Sequence, residues 1–180
     1  GTGFWVDDEL FVTNAHVVAG QDASAVQIDG RGAEIKADVV AFDRINDVAV
    51  LRVPGLELAP LLARAEVKRG TAGAVLGYPE NRSFTATAAR FDDERTVKGD
   101  DIHGNPAANR QVTSFRGKVR HGNSGGPVVD DEGHVMTTVF AAALDRKVVG
   151  GYGVPNDVTA RALRAAREVP DGYGVKTGPC

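Results

Sequence analysis

The sequence contains a single cysteine among its 180 residues, and that cysteine, Cys180, is the last residue. A catalytic thiol needs shaped, electropositive surroundings, which a terminal position does not supply. An odd cysteine is more typical of a thiol that pairs outside the chain. Two alternatives stay open: a disulfide to an upstream cysteine that this sequence does not include, which predicts an oxidising compartment, and a pairing with another molecule.

Long apolar runs and a dominant charge are also absent. No run approaches the roughly 18 residues that cross a bilayer, and a net charge of -3 with interspersed signs gives no basic field. We therefore expect no nucleic-acid partner and no membrane contact from these residues. The sequence starts at Gly1 and carries no signal peptide, so we expect a mature piece in which any upstream targeting or membrane segment would not be visible.

The length fits one domain or two small, closely packed halves. Short runs rich in Val, Ile, Phe and Thr recur between Gly, Asp and Asn residues, which predicts an all-β barrel or sandwich. A proline-containing link, 54–70, divides these runs into two groups, and the polar stretch 92–110 is typical of a surface loop. From 156 to 169 the apolar residues follow a helical period, with Asn156 as the expected N-cap.

The segment "HGNSGGPVV", 121–129, raises the first question of chemistry. Asn, Gly and Ser favour tight turns, so Ser124 is either a turn residue or a nucleophile that needs bare backbone around it. A serine hydroxyl is a poor nucleophile until a base takes its proton as it attacks. The four histidines are the candidates for that base, because they titrate near neutral pH.

His16 is the strongest of these candidates, because it closes the apolar segment "LFVTNAHVV". His103 and His134 fit solvated surface positions, and His121 lies too close to Ser124 along the chain for the geometry that a base needs. Taken alone, His16 also fits a buried histidine of the core. The sequence therefore needs a partner for His16 before the two interpretations can be separated.

Asp47 is the candidate partner. It stands at the start of the apolar run "DVAVL", where it can be buried, accept the imidazole N–H and hold the required tautomer. Taken alone, it also fits a carboxylate at the start of a strand. Asp43, four residues earlier, is the competitor, but no apolar run directly follows it.

The glycines around Ser124 fit a second requirement of acyl transfer. The substrate oxygen gains negative charge, and backbone N–H groups aimed at it stabilise the transition state. The candidate oxyanion hole comprises Gly122, Asn123 and Ser124, with the N–H groups of Gly122 and Ser124 converging across a sharp turn that a glycine permits. Gly125 and Gly126 allow the backbone to pack closely behind the nucleophile.

Three segments, "TNAHVV", "NDVAVL" and "GNSGGPVV", resemble the signature segments of chymotrypsin-fold serine proteases, in the chain order His, Asp, Ser. The segments "GTGFWV", "VLGYP" and "GYGVPND" are similar to those of the HtrA-like bacterial branch. The stretch "GYP…FTATAARF" and the tail "KTGPC" look most like the membrane-anchored periplasmic proteases that actinobacteria have in this branch. The resemblance covers nearly the whole chain.

This resemblance implies two packed six-stranded antiparallel β-barrels, with a catalytic cleft between them and a C-terminal helix. The implied parts are the first barrel 1–53, the link 54–70, the second barrel 71–155, the helix 156–169 and the tail 170–180. Ser124 would attack a peptide carbonyl, with His16 as general base and then general acid and Asp47 orienting it. An acyl-enzyme would form and water would resolve it, with no metal or cofactor.

The resemblance also implies where the substrate side chain binds. The candidate substrate-binding residues are Lys118, His121, Val139, Phe140 and Ala141. A preference for a basic P1 residue is disfavoured if Lys118 or Arg120 faces the pocket, and the alternative is that both point to solvent. We expect small or medium apolar P1 residues.

Proteins or peptides are the implied substrates, and the implied location is extracytoplasmic, in the periplasm or cell envelope, with an upstream anchor in the inner membrane. A role in stress or acid resistance is implied as well. Asn123 stands where animal digestive relatives carry an aspartate, so we do not expect activation by a newly released N-terminus. By the same resemblance we expect the opening strand of the first barrel to lie upstream of Gly1. The alternative function is a protease-fold peptide-binding or sensor module whose active site is silent or forms conditionally.

Overall fold

A computed structural model describes residues 1–7, 9–56, 58–106, 109–143 and 149–178. These residues form two antiparallel sheet structures, a one-turn helix and a longer helix near the C-terminus. The first half contains β1 Phe4–Asp7, β2 Leu10–Thr13, α1 Ala15–Val18, β3 Ser24–Val26, β4 Ile35–Asp43 and β5 Val48–Arg52. The second half contains β6 Ala72–Gly77, β7 Thr85–Val97, β8 Arg110–Gly117, β9 Pro127–Asp130, β10 Val135–Ala142, β11 Gly150–Val154 and α2 Asn156–Glu168.

The first half is a five-stranded sheet in the order β1-β2-β5-β4-β3. Among the described residues β1 and β3 lie at opposite edges of this sheet, so closure of the six-stranded first barrel that the resemblance implies is not shown. A cavity of about 650 Å³ opens beside these edges, with Trp5, Phe11 and Leu51 in its wall. The fully buried strand β5 crosses the centre of the sheet, which explains its continuous apolar run.

The second half confirms the predicted six-stranded barrel, which closes in the order β10-β11-β8-β7-β6-β9. Its core contains Val75, Phe91, Phe115 and Met136, which lie on different strands and are 4% exposed or less. The turn between β9 and β10 is the hairpin at "DDEG", and Gly133 takes a φ of +82° there. The alternation of apolar and polar residues along these strands follows from the two faces of a barrel wall.

The prediction of a loop over 92–110 is wrong for its two ends. Residues 93–97 continue β7 and pair with 110–114 of β8, so the true connection is shorter. This ribbon extends beyond the barrel, and most of its residues in β7 are exposed. The exposed residues of β7 need no apolar alternation, which is why this stretch is typical of a loop in sequence, whereas residues 112–114 of β8 are buried.

Helix α2 packs its apolar face on the core between the two halves, through Val158, Ala162, Leu163 and Ala166. The expected N-cap was wrong by one residue: Pro155 is the N-cap. The amide of Asn156 instead donates to backbone oxygens of the link and of β10, at 3.1 and 2.7 Å. A side chain that satisfies tertiary acceptors in this way is invisible to a local capping rule.

The other end of α2 is held by Arg52, a buried arginine of β5. Its guanidinium donates to the carbonyl oxygens of Ala166 and Val169, at 3.1 and 2.9 Å. Ala166 O also accepts the C-cap N–H of Val169 at 3.3 Å, and a cation at this end of the helix complements the helix dipole. After the helix, Val175 N–H donates to Val39 O at 2.7 Å, so the tail follows the first sheet. No helix among the described residues is long and apolar enough to cross a membrane.

Candidate active site

His16 and Asp47 meet at the edge of the first sheet. His16 lies in α1, directly after β2, and Asp47 precedes β5, the strand that pairs with β2. The Asp47 carboxylate contacts His16 twice: Oδ2 lies 2.7 Å from ring Nδ1, and Oδ1 accepts the His16 backbone N–H at 2.9 Å. Asp47 is 4% exposed, whereas His16 is exposed. A proton on Nδ1 directed at the carboxylate leaves Nε2 as the free basic nitrogen.

The backbone around Asp47 is held in a less common conformation. Asp47 has a φ of +58°, and its carbonyl accepts the side-chain amide of Asn14 at 2.8 Å. Asp43, the competing carboxylate, instead accepts the N–H groups of Ile45 and Asn46 at 2.9 and 3.0 Å. Asp47 therefore contacts His16, whereas Asp43 stabilises the turn that connects the two aspartates.

The second half supports the same turn through an arm, which consists of the ribbon of residues 93–97 and 110–114 and the connection between them. Ile102 N–H donates to Arg44 O at 3.1 Å, and the guanidinium of Arg110 donates to Ile45 O at 3.3 Å. Arg44 also lies 3.6 Å from the buried carboxylate of Asp101. Hydrogen bonds from Asn105 and His103 lower the pKa of Asp101, despite its burial, so it stays ionised there.

Ser124 lies in a tight turn between β8 and β9. Asn123, 3% exposed, closes this turn: its side-chain oxygen accepts Arg120 N–H at 2.9 Å, and its N–H donates to Arg120 O at 3.0 Å. Gly122 has a φ of +93°, a conformation that favours glycine. Among the described residues, the N–H groups of Gly122 and Ser124 have no acceptor, and the Ser124 hydroxyl has no hydrogen bond.

The turn packs against the strand that leads to His16. A Cβ placed on Gly125 would lie against the hydroxyl of Thr13 and 3.0 Å from Asn14 N, two residues before His16. Gly125 therefore allows the contact between the two halves, and its φ of +85° adds a second reason for glycine. The three candidate catalytic residues thus come from elements that contact one another.

The candidate substrate-binding residues fall into two groups. Lys118 and His121 are exposed, and Ala141 is half-buried. Val139 is fully buried in the barrel core, and Phe140 packs against the core beneath α2, with Arg110 over its ring at 4.6 Å. Val139 therefore faces the barrel core, whereas Phe140 is half-buried, and a role for any of the five in substrate binding stays a prediction.

Two further histidines lie outside this region. The N–H of His103 donates to Asp101 in the loop of the arm. His134 forms a cluster with Asp130 and Glu132 in which the ligand atoms lie within 4.8 Å of one another. Arg64 already occupies this cluster, 2.5 Å from Asp130 and 3.1 Å from Glu132. The cluster is therefore an ion-pair network that joins the link to the β9–β10 hairpin.

Burial would raise the pKa of Asp130, but hydrogen bonds outweigh it. The backbone N–H groups of His134 and Glu132 and the guanidinium of Arg64 all donate to its carboxylate, and together they lower its pKa. The hydrogen bond and ion pair with Asp130, and to a smaller extent the contact with Glu132, raise the pKa of Arg64. Cys180 lies outside the described residues, so its pairing stays a prediction.

Sequence reasoning missed one residue of the site, Thr2. It is 8% exposed and hydrogen-bonds to the turn that carries Ser124. The available signal was a threonine between two glycines in "GTGFWV", a segment used above only for its resemblance. Its partners lie far away in the sequence, which is why no local pattern predicts its role.

Comparisons with known proteins agree with this architecture. The sequence pattern of the family described as "Trypsin-like peptidase domain" matches residues 1–136. "Serine protease Rv3671c" of Mycobacterium tuberculosis is 39% identical over 176 residues, which cover 97% of this chain and 44% of the relative. The mitochondrial serine protease HTRA2 of Bos taurus is 31% identical over 182 residues, covering 97% and 38% respectively. The chain thus spans less than half the length of these curated relatives.

A solved structure gives the same result in three dimensions. The crystal structure described as Rv3671c protease from M. tuberculosis, active form, superposes with a TM-score of 0.90 at 39% identity. The superposition covers 100% of this chain and 78% of that one. The likeness therefore includes both halves and α2.

Proposed function

Because the chain belongs to the trypsin-like peptidase family and resembles its HtrA-type members, we propose that it is a serine endopeptidase. In this proposal Ser124 is the nucleophile, His16 the general base and Asp47 the residue that orients His16. Proteins or peptides are the proposed substrates. The observation that carries the proposal is the double contact of a buried Asp47 carboxylate with His16, beside a turn with two unpaired N–H groups.

The proposed reaction starts when Nε2 of His16 takes the proton of the Ser124 hydroxyl as the oxygen attacks the peptide carbonyl. Asp47 stabilises the imidazolium that forms and keeps the ring in place. His16 then gives the proton to the leaving amine, and the acyl-enzyme remains on Ser124. A water molecule, deprotonated by His16, attacks the acyl carbonyl and releases the second product.

The proposed oxyanion hole lies in the turn itself. The N–H groups of Gly122 and Ser124 would donate to the substrate oxygen, whose charge develops during the attack. Asn123 closes the turn between these two donors, while its own N–H is bonded to Arg120. Asn123 is therefore proposed as a structural member of the hole rather than a donor.

The cellular role rests on the family resemblance alone. We infer an extracytoplasmic location, an upstream membrane anchor, and a function in stress or acid resistance from the HtrA-like segments of the sequence. A cysteine partner for Cys180 belongs to the same set of inferences. Each concerns the whole protein.

The test is labelling with a fluorophosphonate, which phosphorylates an activated serine, together with hydrolysis of a peptide library. We expect labelling and hydrolysis by the wild type, and loss of both in Ser124→Ala. Ser83→Ala, which changes an exposed serine, is the matched control and keeps both activities. Peptide binding without labelling at any pH would contradict the proposal and favour the binding or sensor module.

A further inference from the structure

Thr2 lies between the two halves and contacts the Ser124 turn through both its backbone and its side chain. Its N–H donates to Ser124 O at 2.8 Å, and its hydroxyl donates to Gly122 O at 2.6 Å. The same hydroxyl accepts Tyr78 N–H at 3.0 Å, which fixes its direction. Thr2 is therefore bonded to the carbonyls on both sides of Asn123.

The four consecutive peptide groups from 121 to 125 all have their carbonyls held by hydrogen bonds. The bonded pairs are His121 O with Glu80 N at 2.8 Å, Gly122 O with Thr2 Oγ1 at 2.6 Å, Asn123 O with Gly126 N at 2.9 Å, and Ser124 O with Thr2 N at 2.8 Å. In a trans peptide the C=O and N–H groups point in opposite directions. Anchoring these carbonyls therefore fixes the directions of the N–H groups that follow them.

The N–H groups of the turn alternate between paired and unpaired. Asn123 N–H donates to Arg120 O, and Gly125 N–H donates to Val139 O at 2.8 Å. The N–H groups of Gly122 and Ser124, which lie between them, have no acceptor among the described residues. Two free N–H donors in a turn whose other backbone groups are hydrogen-bonded form the arrangement that stabilises an oxyanion.

Thr2 also connects this turn to the base. Its carbonyl accepts the hydroxyl of Thr13 at 2.7 Å, and Thr13 ends the strand that leads through Asn14 to His16. Gly77 makes room for the side chain, since a Cβ there would lie 3.0 Å from Thr2 Oγ1. One residue thus links the nucleophile's turn, the end of β6 and the strand before His16.

We propose that Thr2 is a positioning residue of the peptidase site: by holding the carbonyls of Gly122 and Ser124, it fixes the two peptide groups that flank the Asn123–Ser124 peptide. The turn thereby keeps the conformation that presents the N–H groups of Gly122 and Ser124 to the substrate oxygen. This inference rests on the proposed function. Thr2 touches neither substrate nor the reacting atoms. Its hydroxyl holds the carbonyl end of the Gly122–Asn123 peptide, and its loss leaves that peptide held only at its N–H end, by the bond to Arg120 O.

The test compares Thr2→Val, which keeps the shape and removes the hydroxyl, with Thr2→Ser, which keeps the hydroxyl. Thr2→Ala is a second variant without the hydroxyl, in case valine does not fold. Thr159→Val is the matched control, because its buried hydroxyl bonds to Pro155 O, away from the turn. Each substitution is made in the complete protein, and the readouts are kcat, KM, the thermal midpoint and the affinity for a peptide boronic acid.

The boronic acid is chosen because it adds to the serine oxygen and forms a tetrahedral anion that uses the same donors as the transition state. We expect Thr2→Val to lower kcat and the affinity for the boronic acid by the same factor, about 10-fold to 100-fold. This loss is smaller than the loss in kcat of about 10²–10³-fold that follows deletion of an oxyanion-hole donor. KM should stay within about threefold, since the interaction is gained only in the transition state. Thr2→Ser should restore both values, and Thr159→Val should change neither.

Wild-type kcat in both Thr2→Val and Thr2→Ala would overturn the inference. It would also be overturned if Thr2→Ser lost activity to the same extent, or if activity fell only as the thermal midpoint fell, because both results describe a purely structural role. These results are distinct from failure of the proposed function. That failure would appear in the wild type, as a protein that neither hydrolyses peptides nor labels on Ser124.

Discussion

The Asp47 carboxylate forms two hydrogen bonds with His16: Oδ2 lies 2.7 Å from ring Nδ1, and Oδ1 accepts the backbone N–H at 2.9 Å. The second contact fixes the start of α1, and the first fixes the ring. Replacing the carboxylate by an amide therefore disturbs the tautomer of the His16 ring while an oxygen remains to accept the His16 backbone N–H.

Asp47→Asn should lower kcat by about 10⁴-fold, because the amide favours the wrong imidazole tautomer. Asp43→Asn is the control, since Asp43 shapes the adjacent turn without contacting His16. We expect it to keep kcat within about 10-fold of the wild type. Steady-state kinetics with one peptide substrate measure both. A larger loss in Asp43→Asn than in Asp47→Asn would show that the orienting carboxylate has been misassigned.

Gly125→Ala should impair both folding and activity. The new methyl group would collide with backbone and side-chain oxygens of Thr2 and Thr13, at a φ of +85°. Gly133→Ala is the matched control, because Gly133 has a φ of +82° and open space around it. Backbone strain alone costs about 1–2 kcal/mol, so the control should fold and keep full activity. Equal loss of stability and activity in the two variants would remove the steric argument.

Arg52→Met should lower the free energy of unfolding by about 3 kcal/mol, because the two bonds from a charged donor to Ala166 and Val169 are lost. The substitution keeps most of the apolar stem of the side chain. Arg164→Met on the exposed face of α2 is the control and should stay within about 0.5 kcal/mol of the wild type. Urea denaturation followed by circular dichroism gives both values. Similar values for the two variants would contradict the role assigned to Arg52.

Asp130→Asn should destabilise the protein at neutral pH by about 1.5–3 kcal/mol, the value of a hydrogen bond to a charged group. The folded-state pKa of Asp130 is lowered, so its contribution is present above the unfolded pKa of about 3.9 and is lost as pH falls through the folded value. The gap between wild type and variant should therefore be constant above about pH 5 and shrink below about pH 4.

Thermal unfolding at a series of pH values measures this gap for Asp130→Asn. Glu132→Gln, which changes the exposed partner of Arg64, is the control and should show a smaller gap throughout. A gap for Asp130→Asn that stays unchanged down to pH 2.5 would contradict the ion-pair network as the source of its stability.

The family, the all-β class, the closed second barrel and α2 were predicted from the sequence and are confirmed. The family could be predicted because three short motifs are specific to it. Helix α2 could be predicted because its apolar residues recur with a clear helical period. Closure of the first barrel is not shown, because the described residues of the first half form a five-stranded sheet with open edges. Closure of a barrel depends on which edges meet, and strand patterns alone do not contain that information.

The catalytic roles of His16, Asp47 and Ser124 stay predictions, although the structure brings the first two into contact. Thr2 shows why the rest of the site was missed. Its importance comes from carbonyls 120 and 122 residues away, whereas pattern rules act over a few positions. The extension of β7 over residues 93–97 was missed because most of these residues are exposed and show no apolar alternation.

The arm of the second half rests on the turn before Asp47 in the first half, through Ile102 and Arg110. The two halves are therefore not interchangeable modules. A chimera that joins the first half of this chain to the second half of a relative would need an arm of matching length and matching donors. Exchange of one half between relatives is thus constrained. We expect sequence changes in the arm to accompany sequence changes in the turn that it supports.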